Sequence, residues 1–264
     1  MYEELYEPIP DAEAYMERIG LGGAEVKADK ESLDKIIFSH LTHVPFENID
    51  CWALGACPEL GIKKLYEKIV ARRRGGWCFE LNSLLHAFLR AKGFECYMAA
   101  ANVMAGREEM YPPAHCVVIC IIDGEKYLCD VGYGGTVPFA ALSFGGESRF
   151  GFHLEREGQY IKLINEHSAR EEIRFKDVPT APVELVPMNF YISQLPTSPF
   201  RNQLRMNLRF ENGSAGIVEH EFKLKRGEER IEKYIEADEL PEILEKYFSI
   251  PAKGLVIREI GERA

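Results

Sequence analysis

At Gly93 the chain changes its periodicity, and that change limits what it can fold into. Upstream, apolar residues recur at helical spacing. "DAEAYMERIG" has an acidic start and a glycine stop, "DKESLDKIIFSHLTHV" keeps the spacing up to Pro45, and "IKKLYEKIVARRR" follows. In the run from Cys78, residues Leu81, Leu84, Leu85 and Phe88 share one helical face, with Gly93 placed as a C-terminal cap. Downstream, "FECYMAAANVM", "HCVVICII" and "EKYLCDVG" are apolar, β-branched or aromatic, and punctuated by turns. "FHLEREGQYIKLI" reads as a hairpin around Glu157-Gly158, "LRMNLRF" and "GIVEHEFKLK" as strands, and "LPEILEKYF" as a last helix. Helices and strands segregate, which is an α+β pattern. Three regions are expected: helical over 1–90, β over 91–190, and mixed α/β over 191–264. No internal repeat or low-complexity tract interrupts them.

Composition narrows the function. The 46% hydrophobic and 28% charged content is that of a globular protein. A formal net charge of -10 argues against general nucleic-acid or membrane-surface binding, which needs a basic field. No apolar run approaches the roughly 20 residues of a membrane span. The acidic "MYEELYEPIPDAEAYMERIG" carries no basic-then-apolar leader. The seven cysteines are odd in number and contain no C-x-x-C pair, so reduced thiols fit better than disulfides or a zinc site, and no metal is expected. The expected location is the cytoplasm.

"RRRGGWCFELN", residues 72–82, poses the chemical question. The thiolate is the nucleophilic form of cysteine, and the first turn of a helix favours an anion through its unsatisfied N–H groups and dipole. The same N–H groups suit a tetrahedral oxyanion. Gly75 and Gly76 are read as freeing the backbone ahead of the helix. Arg74 is expected to fasten the turn by pairing with a carboxylate, while Arg72 and Arg73 read as the solvated end of the preceding helix. Cys78 is therefore the candidate nucleophile.

A nucleophilic thiol wants an imidazole, itself oriented by a carboxylate. His86 lies eight residues further along the same helix, about 12 Å away, and cannot serve. His40 and His43 sit in a helical run and read as structural. His115 opens the strand "HCVVICII", which meets "EKYLCDVG" through Asp123-Gly124, a strong two-residue hairpin signal. In that register Ile122 faces Glu125, Asp130 faces Val117 and His115 faces Gly132. Asp130 and His115 become diagonal neighbours within side-chain reach, and a slip of one residue would undo this. Cys116 and Cys120 point away from His115 on the same strand.

At these residues the sequence resembles the arylamine N-acetyltransferases. The family motif R-G-G-x-C-F-E-x-N appears as "RGGWCFELN", its histidine strand as "AHCVVICI", and its D-V-G-F-G element as "CDVGYGG". "HLTHVPFENID" and "NFYISQLPTSPFRNQL" are also similar, so the resemblance runs in order over nearly the whole chain. It implies a helical bundle, a β-barrel-like domain and a smaller α/β lid around a cysteine-protease-like Cys-His-Asp core. It also implies acetyl transfer from acetyl-CoA to an aromatic amine or hydrazine through a ping-pong cycle. Carried over, Cys78 is the acetylated nucleophile, His115 its base and Asp130 the orienter, with Arg74 and Glu80 as structural supports. Tyr133 stands where the family more often has Phe. The long insertion of vertebrate members is missing, which makes the chain prokaryotic in type.

Coenzyme A would bind without a nucleotide fold, since no Walker A or G-x-G-x-x-G element follows a strand. Gly132, Gly134 and Gly135 would let backbone N–H groups approach a pyrophosphate as a nest does. The basic run "KLKRGEER" reads either as a phosphate contact or as a solvated hairpin, the latter preferred. Phe38, Phe46 and Phe190, with Trp77, are candidates to line an aromatic acceptor pocket. The rival readings are a transglutaminase-like or papain-like hydrolase acting on peptide amides, and a non-catalytic scaffold.

Overall fold

The structure, a computed structural model, describes residues 2–257. A 3-10 turn, Glu3–Leu5, precedes helices α1 (Ala12–Arg18) and α2 (Lys30–His43). Each helix starts at an aspartate that satisfies first-turn donors: Asp11 accepts from the amides of Glu13 and Ala14, Asp29 from that of Ser32. Strand β1 (Phe46–Glu47) and helices α3 (Ile49–Leu54) and α4 (Ile62–Tyr66) follow. Helix α4 runs into a π-helical turn, Glu67–Ala71, ahead of helix α5 (Cys78–Ala91). Gly93, at φ +84°, adopts the left-handed conformation that ends α5 where expected.

Seven antiparallel strands come next: β2 (Glu95–Val103), β3 (His115–Ile122), β4 (Glu125–Cys129), β5 (Leu142–Ser143), β6 (Phe152–Glu157), β7 (Tyr160–Asn165) and β8 (Arg170–Lys176). They are ordered β5-β4-β3-β2-β8-β7-β6, and the end strands β5 and β6 approach each other, so the sheet curls into a nearly closed barrel. Helix α5 packs against β2 and β3. The β3–β4 hairpin turns at Asp123 (φ +52°) and Gly124 (φ +82°), with Ile122 opposite Glu125 and Val118 opposite Cys129. Both turn residues have positive φ, as a type I′ turn requires.

The chain closes with α6 (Pro182–Gln194), α7 (Pro199–Asn202), β9 (Arg205–Phe210), β10 (Gly213–Val218), β11 (Glu221–Arg226), β12 (Glu229–Tyr234) and α8 (Leu240–Phe248). Strand β1 joins β9–β12 as the first strand of a second antiparallel sheet. Here two expectations are corrected. "GIVEHEFKLK" is not one strand but parts of β10 and β11, reversing at Glu219 (φ +57°) and His220. The hairpin expected around Glu157-Gly158 loops through Gly158-Gln159, with Glu157 opposite Tyr160.

Buried side chains form two clusters. The larger joins the helices to the barrel, with Ile36, Phe79, Phe88, Val118 and Phe175 inside it. The smaller lies between the second sheet and α8, and α3 contributes Ile49 and Trp52 to it. Among the described residues no helix is long and apolar enough to cross a membrane.

Candidate active site

Cys78 is the first residue of α5, and three sets of contacts fix its position. From below, Glu80 in the first turn reaches back to the Trp77 amide at 3.0 Å, half of a capping box. Glu80 also meets Lys68 at 2.8 Å. Lys68, on the π-helical turn and 6% exposed, continues to Asp50 at 2.9 Å and Glu47 at 3.8 Å. Arg74 closes the network on Glu47 at 2.8 Å and Asp50 at 2.9 Å, the carboxylate pairing its sequence position suggested. Burial pushes the Glu80 carboxyl above its usual range even beside Lys68. Burial also opposes ionisation of Asp50, but Lys68 and Arg74 together hold its carboxyl down at about 2.

The loop before Cys78 is the second constraint. Neither Gly75 nor Gly76 has positive φ; the left-handed residue is Arg73, at φ +52°. The glycines serve proximity instead. A Cβ on Gly75 would lie 2.0 Å from the Pro45 carbonyl oxygen, because residues 75–76 run against β1, with the Glu47 amide donating to Gly76 O at 2.9 Å. Arg18, 3% exposed, grips this region through backbone carbonyls alone, those of His43, Ile69, Arg73 and Arg74. The third constraint is the Trp77 indole, which donates to Asn189 of α6 at 3.0 Å. Asn189 in turn donates to Pro58 O at 2.8 Å, which places "CWALGACPE" as a brace of the site.

The barrel brings His115 and Asp130 to Cys78. His115 Nε2 and Asp130 Oδ2 are 2.7 Å apart and both residues are buried, with the Cys78 thiol beside the imidazole and donating to Ala114 O at 3.6 Å. Burial alone would depress the His115 imidazole; the Asp130 charge and hydrogen bond, helped by Cys78, outweigh it and raise the ring to about 10. Asn82, one turn along α5 from Cys78, completes the arrangement. Its amide nitrogen donates to Asp130 Oδ1 at 2.9 Å and to Cys116 O at 2.7 Å, and its oxygen accepts from the Val131 amide at 3.0 Å. Cys116 does lie on the strand face opposite His115, but that face packs on α5, and its thiol donates to Cys78 O at 3.6 Å.

The remaining candidates separate. Gly132 is needed for the close approach to Cys78, since a Cβ there would meet Cys78 Cα at 2.6 Å. Its N–H is committed to Asp130 Oδ1 at 2.9 Å, so that donor is not presented to a phosphate. Gly134 lies under the Phe46 ring, and Gly135 is exposed beside Tyr133. Tyr133 packs edge-on to His115 at 5.7 Å between centroids and donates to Glu172 at 2.9 Å. Phe46 is buried at the site, and Phe38 is half-buried against Phe139. Phe190 is 59% exposed, on the surface rather than in a pocket wall. Phe200 is the aromatic residue with no local signal: it packs edge-on to Trp77 at 5.5 Å and lies 6.1 Å from Phe46. His40 is only half satisfied, with Nδ1 2.7 Å from the Tyr15 hydroxyl and Nε2 buried with no partner among the described residues.

A thiol at a helix N-terminus, in contact with an imidazole held by a carboxylate, is equipped for acyl transfer. Comparison with known proteins gives the class a family. The N-acetyltransferase family model matches residues 29–255. Human arylamine N-acetyltransferase 1 is 28% identical over 286 aligned residues, covering 96% of this chain and 98% of the relative. The structure of the Salmonella typhimurium arylamine N-acetyltransferase superposes with a TM-score of 0.84 at 23% identity, covering 98% of this chain and 96% of that one. That of the Mycobacterium marinum enzyme in complex with CoA gives 0.84 at 24% identity, covering 96% of each. These two likenesses are of fold. The chain belongs to the arylamine N-acetyltransferase family, and it is an acetyltransferase.

Proposed function

We propose that the protein transfers acetyl from acetyl-CoA to an aromatic amine or hydrazine through a thioester on Cys78. The observation that carries this reading is the buried file Cys78, His115, Asp130, set at the first turn of α5. The Cys78 sulfur, having given its proton to His115, attacks the acetyl carbonyl. First-turn amides of α5 stabilise the oxyanion. The carbon–sulfur bond to the coenzyme breaks, and its thiolate takes the proton from His115. The acceptor nitrogen then attacks the Cys78 thioester, His115 removes its proton, and the cysteine sulfur is released. Asp130 holds the imidazole in orientation throughout. Region 1–90 supplies the nucleophile, 91–190 the histidine and aspartate, and 191–264 the α/β lid. Phe46, Phe200 and Trp77 supply apolar wall for an aromatic acceptor, and Gly134 and Gly135 let the donor pass close to backbone. Free thiols at all seven cysteines suit a cytoplasmic setting.

Intact mass spectrometry after incubation with acetyl-CoA tests the reading. One acetyl group should appear on Cys78, disappear on addition of an aromatic hydrazine with release of free coenzyme A, and never form on Cys78→Ala. Absence of acylation and of coenzyme release in the wild type would refute it and turn attention to peptide-amide donors.

A further inference from the structure

The second sheet turns one face to its own core, through Met206, Leu208, Ala215, Ile217, Phe222 and Leu224. The opposite face looks onto the Gly132–Gly135 turn. Asn207 on that face is paired with Phe46, whose ring lies against Gly134. Two residues along β9 on the same face, Arg209 donates to the Val137 carbonyl just after the turn and stacks 3.6 Å over the Phe139 ring.

From Arg209 a single row of the ladder runs outward. Arg209 is opposite Ser214, Ser214 opposite Lys225, and Lys225 opposite Arg230. Three strand spacings make this row about 14 Å long. Among the described residues no carboxylate forms an ion pair with any of its three cations, in a chain of net charge -10. The neighbouring row is balanced instead: Lys223 meets Glu221 at 3.0 Å and faces Glu232 across the ladder. Like charges directly opposed across a sheet cost stability, so Lys225 against Arg230 is an arrangement that packing alone disfavours. Ser214, Lys225 and Arg230, with Asn207, Gly216 and Lys223, line an open groove of about 460 Å³, and the two carboxylates that also line it, Glu221 and Glu232, both stand beside Lys223.

We propose that the row Arg209–Ser214–Lys225–Arg230 binds the phosphate groups of the acyl donor, leading its nucleotide end away from the glycine turn while the thioester reaches Cys78. This rests on the proposed donor and adds the residues that recognise its charge. Glycine amides alone are a poor substitute, since that of Gly132 is already engaged by Asp130. Phosphate oxygens are matched by guanidinium and ammonium donors, with the serine hydroxyl between them.

Lys225 and Arg230 are both exposed, so Lys225→Gln/Arg230→Gln leaves the core untouched. The experiment compares kcat/KM for acetyl-CoA with that for S-acetylpantetheine, which keeps the thioester and lacks the phosphates. Calorimetric titration with inorganic pyrophosphate is run alongside. Losing charge-assisted contacts should cut the preference for acetyl-CoA by about tenfold or more, and weaken pyrophosphate binding by a similar factor. The wild-type preference should also decline with added salt more steeply than the variant's. An unchanged preference together with unchanged pyrophosphate binding would overturn the proposal. If neither thioester acylates Cys78 while pyrophosphate binding still depends on the two cations, the proposed acyl transfer fails and the anion site stands.

Discussion

Asn82 and Asp130 are joined side chain to side chain at 2.9 Å, from α5 to the end of the β3–β4 hairpin. Through this bond the helix that carries Cys78 also orients the carboxylate that holds His115. With the Gly132 amide on the same oxygen and His115 on the other, Asp130 is engaged at both ends. Asn82→Ala removes a hydrogen bond to a charged group, about 1.5–3 kcal/mol. Expressed at the imidazole, that is a fall of about tenfold to a hundredfold in the rate of Cys78 acylation, measured in single turnover. Asn82→Asp should do worse, since it sets two carboxylates against each other.

Gly132 and Gly135 should respond differently to the same change. An alanine methyl at Gly132 meets the Cys78 backbone at 2.6 Å; at Gly135 it meets the edge of the Tyr133 ring at 2.8 Å, a side chain that can move. Gly132→Ala should abolish turnover and cost about 1–3 kcal/mol in urea melts, as overpacking does. Gly135→Ala should keep more than half of the wild-type rate.

Lys68 and Arg74 are both buried cations of the ion network under α5, and Lys68 is the one that meets Glu80. Lys68→Met would leave Glu47 and Asp50 with Arg74 alone and Glu80 with no cation partner among the described residues, and losing one partner of a buried ion pair costs about 3–5 kcal/mol. Denaturant unfolding should show a loss of that size. A loss below about 1 kcal/mol would mean the three carboxylates can be resolvated without it.

Two histidines should give opposite pH dependences of stability. His115 rises from 6.5 to about 10 in the folded protein, so its contribution is complete below pH 6.5 and is lost as pH climbs through about 10. The stability gap between wild type and His115→Gln should therefore narrow over that range. His40 is pushed down from 6.5 to about 3 by burial, with Arg18 and His43 adding to it. Only the unfolded chain then takes up that proton, and stability should drain away as pH falls from 6.5 toward 3. Urea melts of wild type and His40→Gln across the acidic range isolate this effect, which should shrink in the variant.

What was legible in the sequence is what local pattern encodes. The apolar face of α5, its Gly93 stop and the register set by Asp123-Gly124 follow from periods and turn chemistry, and they bring His115 and Asp130 together. Contacts between distant segments leave no such trace. Lys68 reads as one lysine on a helical run, yet its partners lie on β1, α3 and α5. Phe200 reaches Trp77 across more than a hundred residues, while Phe190, in the same similar segment, faces solvent. The Glu219-His220 reversal escaped because neither residue is Gly, Pro, Asn or Asp, the usual punctuation of a turn. The glycine pair at 75–76 was legible as a necessity but not in its reason, which is the proximity of Pro45.

Strand β1 is two residues long, yet it touches Gly76 on one side and β9 on the other. During synthesis, residues 46–93 leave the ribosome well before residues 205–210 exist. One edge of β1 then has no partner, and the loop leading to Cys78 leans on an unfinished support. Cys78 is thus set in place only once β9 has been made. A nascent chain or a fragment cut short before β9 should fold its barrel and still fail to hold its cysteine in working order.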